Sequence, residues 1–294
     1  MKLYRFISML LCLIFLISGC GSTESAPLAA TTLPVCQFTE YLCQGTGLEV
    51  TQLVTENVSC LHDYTLQVSQ MRRIEEAETV IISGAGLEEF LDDALSNSQN
   101  LIDASKDISL ITCDGHHEED HGHSHEHSHD EDPHIWLSPA NAAIMAQTIC
   151  SELSFLYPQH TAVFQKNLSA LLSQLEKLQS YGEEKLADLS CRELITFHDG
   201  FAYFAAAFDL TILEAVEEES GSEASAKELI HLIEIVNEHQ LPAIFTETNG
   251  STSAAQIIAS ETGATVYTLD MAMAGDDYFS AMYRNIDTIQ EALG

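Results

Sequence analysis

From Thr161 to Leu189 the chain runs without a proline, and Val163, Leu168, Leu171, Leu172, Leu175, Leu178 and Leu186 recur at helical spacing. Gly182 is the weak point of this run. At 1.5 Å per residue, a helix over this span reaches about 43 Å, longer than a small domain. Its apolar positions keep no strict heptad, so a backbone helix joining two lobes fits better than a coiled-coil arm.

Both flanks of the run alternate strand-like and helix-like segments. Before it, Glu49–Val54, Thr79–Ser83 and Ile108–Ile111 read as strands between helical stretches. After it, Glu193–Phe197, Thr211–Leu213, Pro242–Thr246 and Thr265–Leu269 read as strands. The second-flank helices are expected through Phe204 and over Ala224–His239, Ser253–Thr262 and Asp277–Ala292. Strand, helix, strand at this spacing means parallel βα units. The expected fold is α/β, with two lobes that each hold a parallel sheet flanked by helices, one long helix joining them, and a metal site in the cleft between. The predicted divisions are an N-terminal lobe over 33–157, a linking helix over 158–190 and a C-terminal lobe over 191–294. Some 270 mature residues exceed one comfortable core, which also suggests two domains.

The N-terminus has a short cationic start, an apolar run from Phe6 to Ile17, and then Ser18-Gly19-Cys20. That pattern predicts a secretory signal over 1–19. Leu16-Ile17-Ser18-Gly19-Cys20 resembles a bacterial lipobox, which implies a lipid on Cys20 and anchoring to the cell membrane from outside. Residues 20–32 are small, polar and without period, as a tether would be. Cys36, Cys43, Cys60, Cys113, Cys150 and Cys191 would then meet an oxidising compartment, where Cys36–Cys60 is the favoured bridge. The formal net charge of −34 makes nucleic acid and anionic membrane surfaces poor partners and cations good ones.

Seven of the thirteen histidines, His116, His117, His121, His123, His125, His127 and His129, crowd into one acidic stretch inside a predicted loop over 114–131. Neutral imidazole suits zinc, copper and nickel, so this tract is a low-affinity, exchangeable collector of cations. Three other histidines fall where a cleft ligand should. His198 directly follows a predicted strand, His62 follows another by a few residues, and His134 precedes the turn Ile135-Trp136-Leu137-Ser138-Pro139. Asp270 ends the strand Thr265–Leu269 in the same way. Three imidazoles and a carboxylate fill a tetrahedral shell, which suits Zn(II). His160, His231 and His239 read as capping or solvated side chains. Ala272-Met273-Ala274-Gly275 is the piece expected to move on release.

Several motifs carry a resemblance to the solute-binding lipoproteins of zinc and manganese ABC importers, over essentially the whole mature length. They are Leu61-His62-Asp63-Tyr64, Gly84-Ala85-Gly86-Leu87-Glu88, Asp132-Pro133-His134-Ile135-Trp136-Leu137-Ser138-Pro139, Thr196-Phe197-His198-Asp199-Gly200-Phe201-Ala202-Tyr203-Phe204 and Gly275-Asp276-Asp277-Tyr278. The resemblance implies His62, His134, His198 and Asp270 as ligands, a membrane permease and through it an ATPase as partners, and a monomer. A histidine-acid loop before the second histidine is typical of the zinc-selective members. Manganese-selective members tend to carry a carboxylate at the position of His198, so histidine there favours zinc. The chain departs from the family at Cys60-Leu61-His62, where Asp-Pro-His is usual.

Other classes fit less well. A zinc hydrolase would keep an open coordination position, and the His62-Asp63 and His198-Asp199 doublets belong in other enzymes to all-helical bundles. Gly84-Ala85-Gly86 lacks the third glycine of a dinucleotide-binding turn, so tight packing explains it better. A manganese carrier, an extracellular zinc buffer and an adhesin stay open as alternatives, and no catalysis is expected.

Overall fold

The computed structural model describes residues 27–55, 61, 64–95, 100–112, 131–216, 224–248, 250–273, 275 and 277–294. Cys20, Cys60, His62, Cys113 and the seven tract histidines lie outside them.

Two four-stranded, all-parallel sheets form the two lobes. The first holds β1 (Leu28–Ala30), β2 (Val50–Gln52), β3 (Thr79–Ile82) and β4 (Leu101–Asp103) in the order β2-β1-β3-β4. The second holds β5 (Glu193–Thr196), β6 (Thr211–Ala215), β7 (Ala243–Glu247) and β8 (Thr265–Leu269) in the order β6-β5-β7-β8. The lobes therefore repeat one topology, with a switch point between β1 and β3 and another between β5 and β7. Crevices at the carboxyl ends of strands open at such points.

The helices are α1 (Leu33–Cys43), α2 (Val68–Glu76), α3 (Asp92–Leu95), α4 (Pro139–Leu156), α5 (Thr161–Lys185), α6 (Ala202–Ala207), α7 (Ala226–His239), α8 (Ser253–Thr262) and α9 (Tyr278–Leu293). The spanning helix α5 has 25 residues and buries Phe164, Leu168, Leu171, Leu175 and Leu178. It stops short of Leu189 because Arg192 satisfies the carbonyls past its end, donating to Leu186 O at 2.7 Å and Ala187 O at 2.9 Å. Gly182, read as a weak point, is a packing site. A Cβ there would lie 2.2 Å from Phe208 Cε1, so only glycine lets that ring rest on the helix.

Several expectations change. Leu28–Ala30, read as tether, is the fully buried central strand β1, paired with β2 and β3. Ile108–Ile111 is not a strand, and β4 lies earlier at Leu101–Asp103, where only Ile102 is buried. The lobes do not have separate cores, since one apolar cluster runs from Leu28 through α4 and α5 to Leu293. Satellite clusters sit around Ile195 and Ile244 in the second lobe and around Val80 and Leu91 in the first. Cys36 is a buried free thiol on α1 rather than half of a Cys36–Cys60 bridge, and Cys43, Cys150 and Cys191 are also free. Burial beside Glu40 pushes the Cys36 and Cys43 thiols up to about 12, so both stay protonated.

Candidate metal centre

The Gly84-Ala85-Gly86 turn follows β3 at its switch point. All three residues have positive φ, at 85°, 55° and 82°. A Cβ at Gly84 would sit 1.9 Å from Asp103 Oδ1, so the position is closed to any side chain. The amides such a turn would offer a phosphate are taken by the chain itself. Glu88 accepts from Ser83 N at 2.7 Å, Gly84 N at 3.0 Å and Thr31 Oγ1 at 2.6 Å. Burial outweighs these bonds and pushes the Glu88 carboxyl up to about 7. Glu88 thus takes the Ser83 and Gly84 amides that a phosphate at this turn would need.

His134 stands between Asp132-Pro133 and a 3₁₀ turn over Ile135–Leu137, just ahead of α4. Pro139 at the first helical position and Ser138, whose Oγ accepts from Asn141 N at 3.4 Å, start that helix. The His134 side chain is only 2% exposed and Asp132 only 1%. Asp132 Oδ1 accepts from both the His134 backbone N–H and its Nδ1, each at 2.8 Å. A carboxylate oxygen only accepts, so Nδ1 carries a proton, and in the neutral ring Nε2 is the nitrogen left to bind a metal.

His198 leaves the end of β5 toward the same point. Its Nε2 lies 3.4 Å from His134 Nε2, with the ring planes at 84°. Its Nδ1 lies 3.8 Å from Glu247 Oε2, beyond hydrogen-bond length. Gly200 makes room for the pair. A Cβ there would approach Met271 Cε at 2.5 Å, His198 Cδ2 at 2.7 Å and His134 Cε1 at 3.1 Å.

Asp270 ends β8 as expected, but its carboxylate faces α9. Oδ1 accepts from Ala272 N at 2.8 Å, and Oδ2 accepts from Arg284 NH2 at 2.9 Å. Asn285 fixes the Asp270 backbone from both sides, its Oδ1 accepting from Asp270 N at 2.8 Å and its Nδ2 donating to Asp270 O at 2.7 Å. The structure therefore brings His134 and His198 together and does not join Asp270 to them. Among the described residues no three His, Cys, Asp or Glu side chains form a metal-holding group, and His62 is not among those residues. His239 pairs with Glu193 at 2.9 Å and His231 approaches Glu214 at 3.9 Å.

Of the segment expected to move on release, Ala272 and Met273 are buried beside Met271, Gly275 is exposed, and Ala274 lies outside the described residues. The first lobe contacts this stretch and its surroundings: Trp136 Nε1 donates to Met271 O at 2.7 Å, Leu33 N donates to Met273 O at 3.2 Å, and Gln37 Oε1 accepts from Tyr278 N at 2.8 Å. Sequence reasoning missed Glu247 and Arg284 and left Asp132 without a role. Glu247 could have been found by the rule that found Asp270, since it too closes a strand at the carboxyl edge of the sheet.

Two parallel-sheet lobes on one spanning helix, with an imidazole pair at the seam, define the solute-binding protein of a metal importer. Over residues 28–292 the chain matches the family described as zinc-uptake complex component A, periplasmic, and it belongs to that family. A Treponema pallidum (strain Nichols) protein named for metal binding is 28% identical over 282 residues, covering 92% of this chain and 88% of that one. The zinc-binding lipoprotein AdcA of Streptococcus pneumoniae (strain ATCC BAA-255 / R6) is 27% identical over 298 residues, 96% of this chain but 59% of AdcA. A crystal structure of ZnuA superposes with a TM-score of 0.79 at 32% identity, covering 92% of this chain and all of that one.

Proposed function

We propose that the protein captures Zn(II) outside the cytoplasm and delivers it to an ABC-type permease coupled to an ATPase. His134 and His198 hold the ion with His62 and Asp270, while Cys20 carries the lipid that keeps the monomer at the membrane. The observation that carries this reading is the 3.4 Å between two Nε2 atoms, each backed by a carboxylate on the far side of its ring. Two nitrogens on one tetrahedral zinc, each at 2.0–2.1 Å, stand about 3.3–3.4 Å apart. With both rings neutral and their protons on Nδ1, the two Nε2 atoms can bind one ion, and a carboxylate–histidine–metal arrangement is the usual way to hold such rings. With four protein donors the shell is closed to substrate water, so the protein acts as a carrier without catalysis. The seven tract histidines bind further zinc weakly and exchangeably, and the tight site does not need them.

The test is competitive zinc and manganese titration, against a chelator of known affinity, of the chain from residue 21. It is run with and without residues 116–129 and with His198→Ala. One tight zinc site that survives the deletion and collapses with His198→Ala supports the reading. Tight binding that disappears with the tract would make the protein an extracellular zinc buffer instead.

A further inference from the structure

Two tyrosines of the second lobe hold the turn that carries His134. Tyr203, on α6 just past His198, donates through its hydroxyl to Asp132 O at 3.0 Å and accepts from Ile111 N at 2.9 Å. Asp132 N also donates to Ile111 O at 2.9 Å, so one hydroxyl fastens both stems that meet there. Tyr278, fully buried at the start of α9, donates to Trp136 O at 2.8 Å. The two carbonyls belong to the residues two before and two after His134. Trp136 is held a second time, since its Nε1 donates to Met271 O at 2.7 Å, and its ring meets the His134 ring edge-on at 5.4 Å between centroids. Asp132 in turn fixes the imidazole through Oδ1. His134 precedes the spanning helix in sequence, yet its turn is bonded on both sides to the lobe that carries His198.

We propose that Tyr203 and Tyr278 are positioning residues that keep His134 beside His198, so that the two nitrogens stand as a pair before an ion arrives. The proposal rests on the reading of both histidines as zinc ligands. With a carbonyl fixed two residues away on each side, the backbone of His134 can neither slide along the seam nor tilt away from it. A pair already in place spares the ion the cost of ordering that stretch of chain, a cost that binding must otherwise meet. The motif around Tyr278 thereby gains a role. Asp277 starts α9 by accepting from Ser280 N at 2.7 Å, and that start sets the Tyr278 hydroxyl against Trp136 O. Phenylalanine at either position removes the hydroxyl and keeps the ring, including the edge-on contact of Tyr278 with Phe38 at 5.0 Å.

The experiment is zinc titration against a chelator of known affinity, well below the melting temperature, on the full chain and on Tyr203→Phe, Tyr278→Phe and the double variant. His134→Ala and Leu232→Ala serve as references. Each single variant should bind zinc more weakly, and the double variant about tenfold more weakly, the lower end for loss of a partner that orients a ligand. In a His134→Ala background the same tyrosine changes should leave zinc affinity unaltered. Leu232 is buried in the satellite cluster around Ile195 and Ile244, apart from the cluster that runs between the lobes. Leu232→Ala should therefore lower the melting temperature without weakening zinc. Tyrosine variants that lower only the melting temperature, as Leu232→Ala does, overturn the proposal, and so does a loss of affinity that persists in full without His134. Should His134→Ala itself keep tight zinc, the ligand reading fails and the proposal falls with it.

Discussion

Asp132 grips His134 through a single oxygen. Oδ1 accepts two hydrogen bonds from that residue, while Oδ2 is buried and has no hydrogen-bond partner among the described residues. The bond to Nδ1 decides which ring nitrogen is bare. Asp132→Asn keeps an acceptor but loses the charge that strengthens Nε2 as a donor to metal. Zinc affinity should drop by about 10–100-fold with little change in melting temperature, as read by chelator competition and thermal denaturation. Unchanged affinity would mean that the ring is oriented by packing alone.

Gly200 is where the backbone of the second lobe passes under both imidazoles. Gly200→Ala puts a methyl group 2.7 Å from His198 Cδ2, and the rigid ring must turn where the Met271 thioether could bend aside. Zinc should bind at least tenfold more weakly, a loss of about 1.4 kcal/mol, with the fold intact. Isothermal titration with zinc, alongside circular dichroism, separates the two effects.

Tyr203 ties α6 to the first lobe. Its hydroxyl donates to Asp132 O at 3.0 Å and accepts from Ile111 N at 2.9 Å. Tyr203→Phe removes both bonds, and a buried polar group left unsatisfied costs about 1–3 kcal/mol. Urea denaturation should show a loss in that range at constant m-value. A loss below about 0.5 kcal/mol would indicate that water replaces the hydroxyl.

Glu88 gives stability a pH dependence whose sign follows from burial. Its carboxyl is pushed up from an ordinary 4.5 to about 7. Between these values the unfolded chain has lost a proton that the folded chain keeps. The contribution of Glu88 is therefore complete below about 4.5 and is lost progressively as pH rises toward about 7. Glu88→Gln cannot ionise, although its amide fits the Gly84 N–H poorly. Relative to the unaltered protein, it should gain stability as pH goes from 5 to 8, by at most about 1.4 kcal/mol per pH unit. Parallel stability–pH curves for the two proteins would remove Glu88 as the source.

The second lobe was legible because each of its strands is an apolar run with a clear boundary, and β8 and α8 fall where their periodicity places them. The first lobe hides its strands. Leu28–Ala30 is buried through small residues and has no alternation, so it looks like linker. Leu101–Asp103 is three residues long with only its middle side chain inside, while the more apolar Ile108–Ile111 pairs with no strand. At the site, His134 and His198 could be read from their places beside strand ends and turns. The Asp270–Arg284 pair could not, because a carboxylate at a strand end and an arginine fourteen positions later on a helix meet only when α9 docks. Glu247, by contrast, closes β7 at the carboxyl edge of its sheet and was legible by the same rule as Asp270.

The loop after Asp270 is continuous in sequence with the second lobe, but Trp136, Leu33 and Gln37 of the first lobe hold it in place. The halves are therefore not interchangeable cassettes. A chimera that borrows residues 191–294 from a relative would inherit the aspartate without the scaffold that shapes its approach, unless Leu33, Gln37 and Trp136 travel with it. Recombination between such genes should succeed at crossovers that transfer this seam whole and fail at those that cut through it.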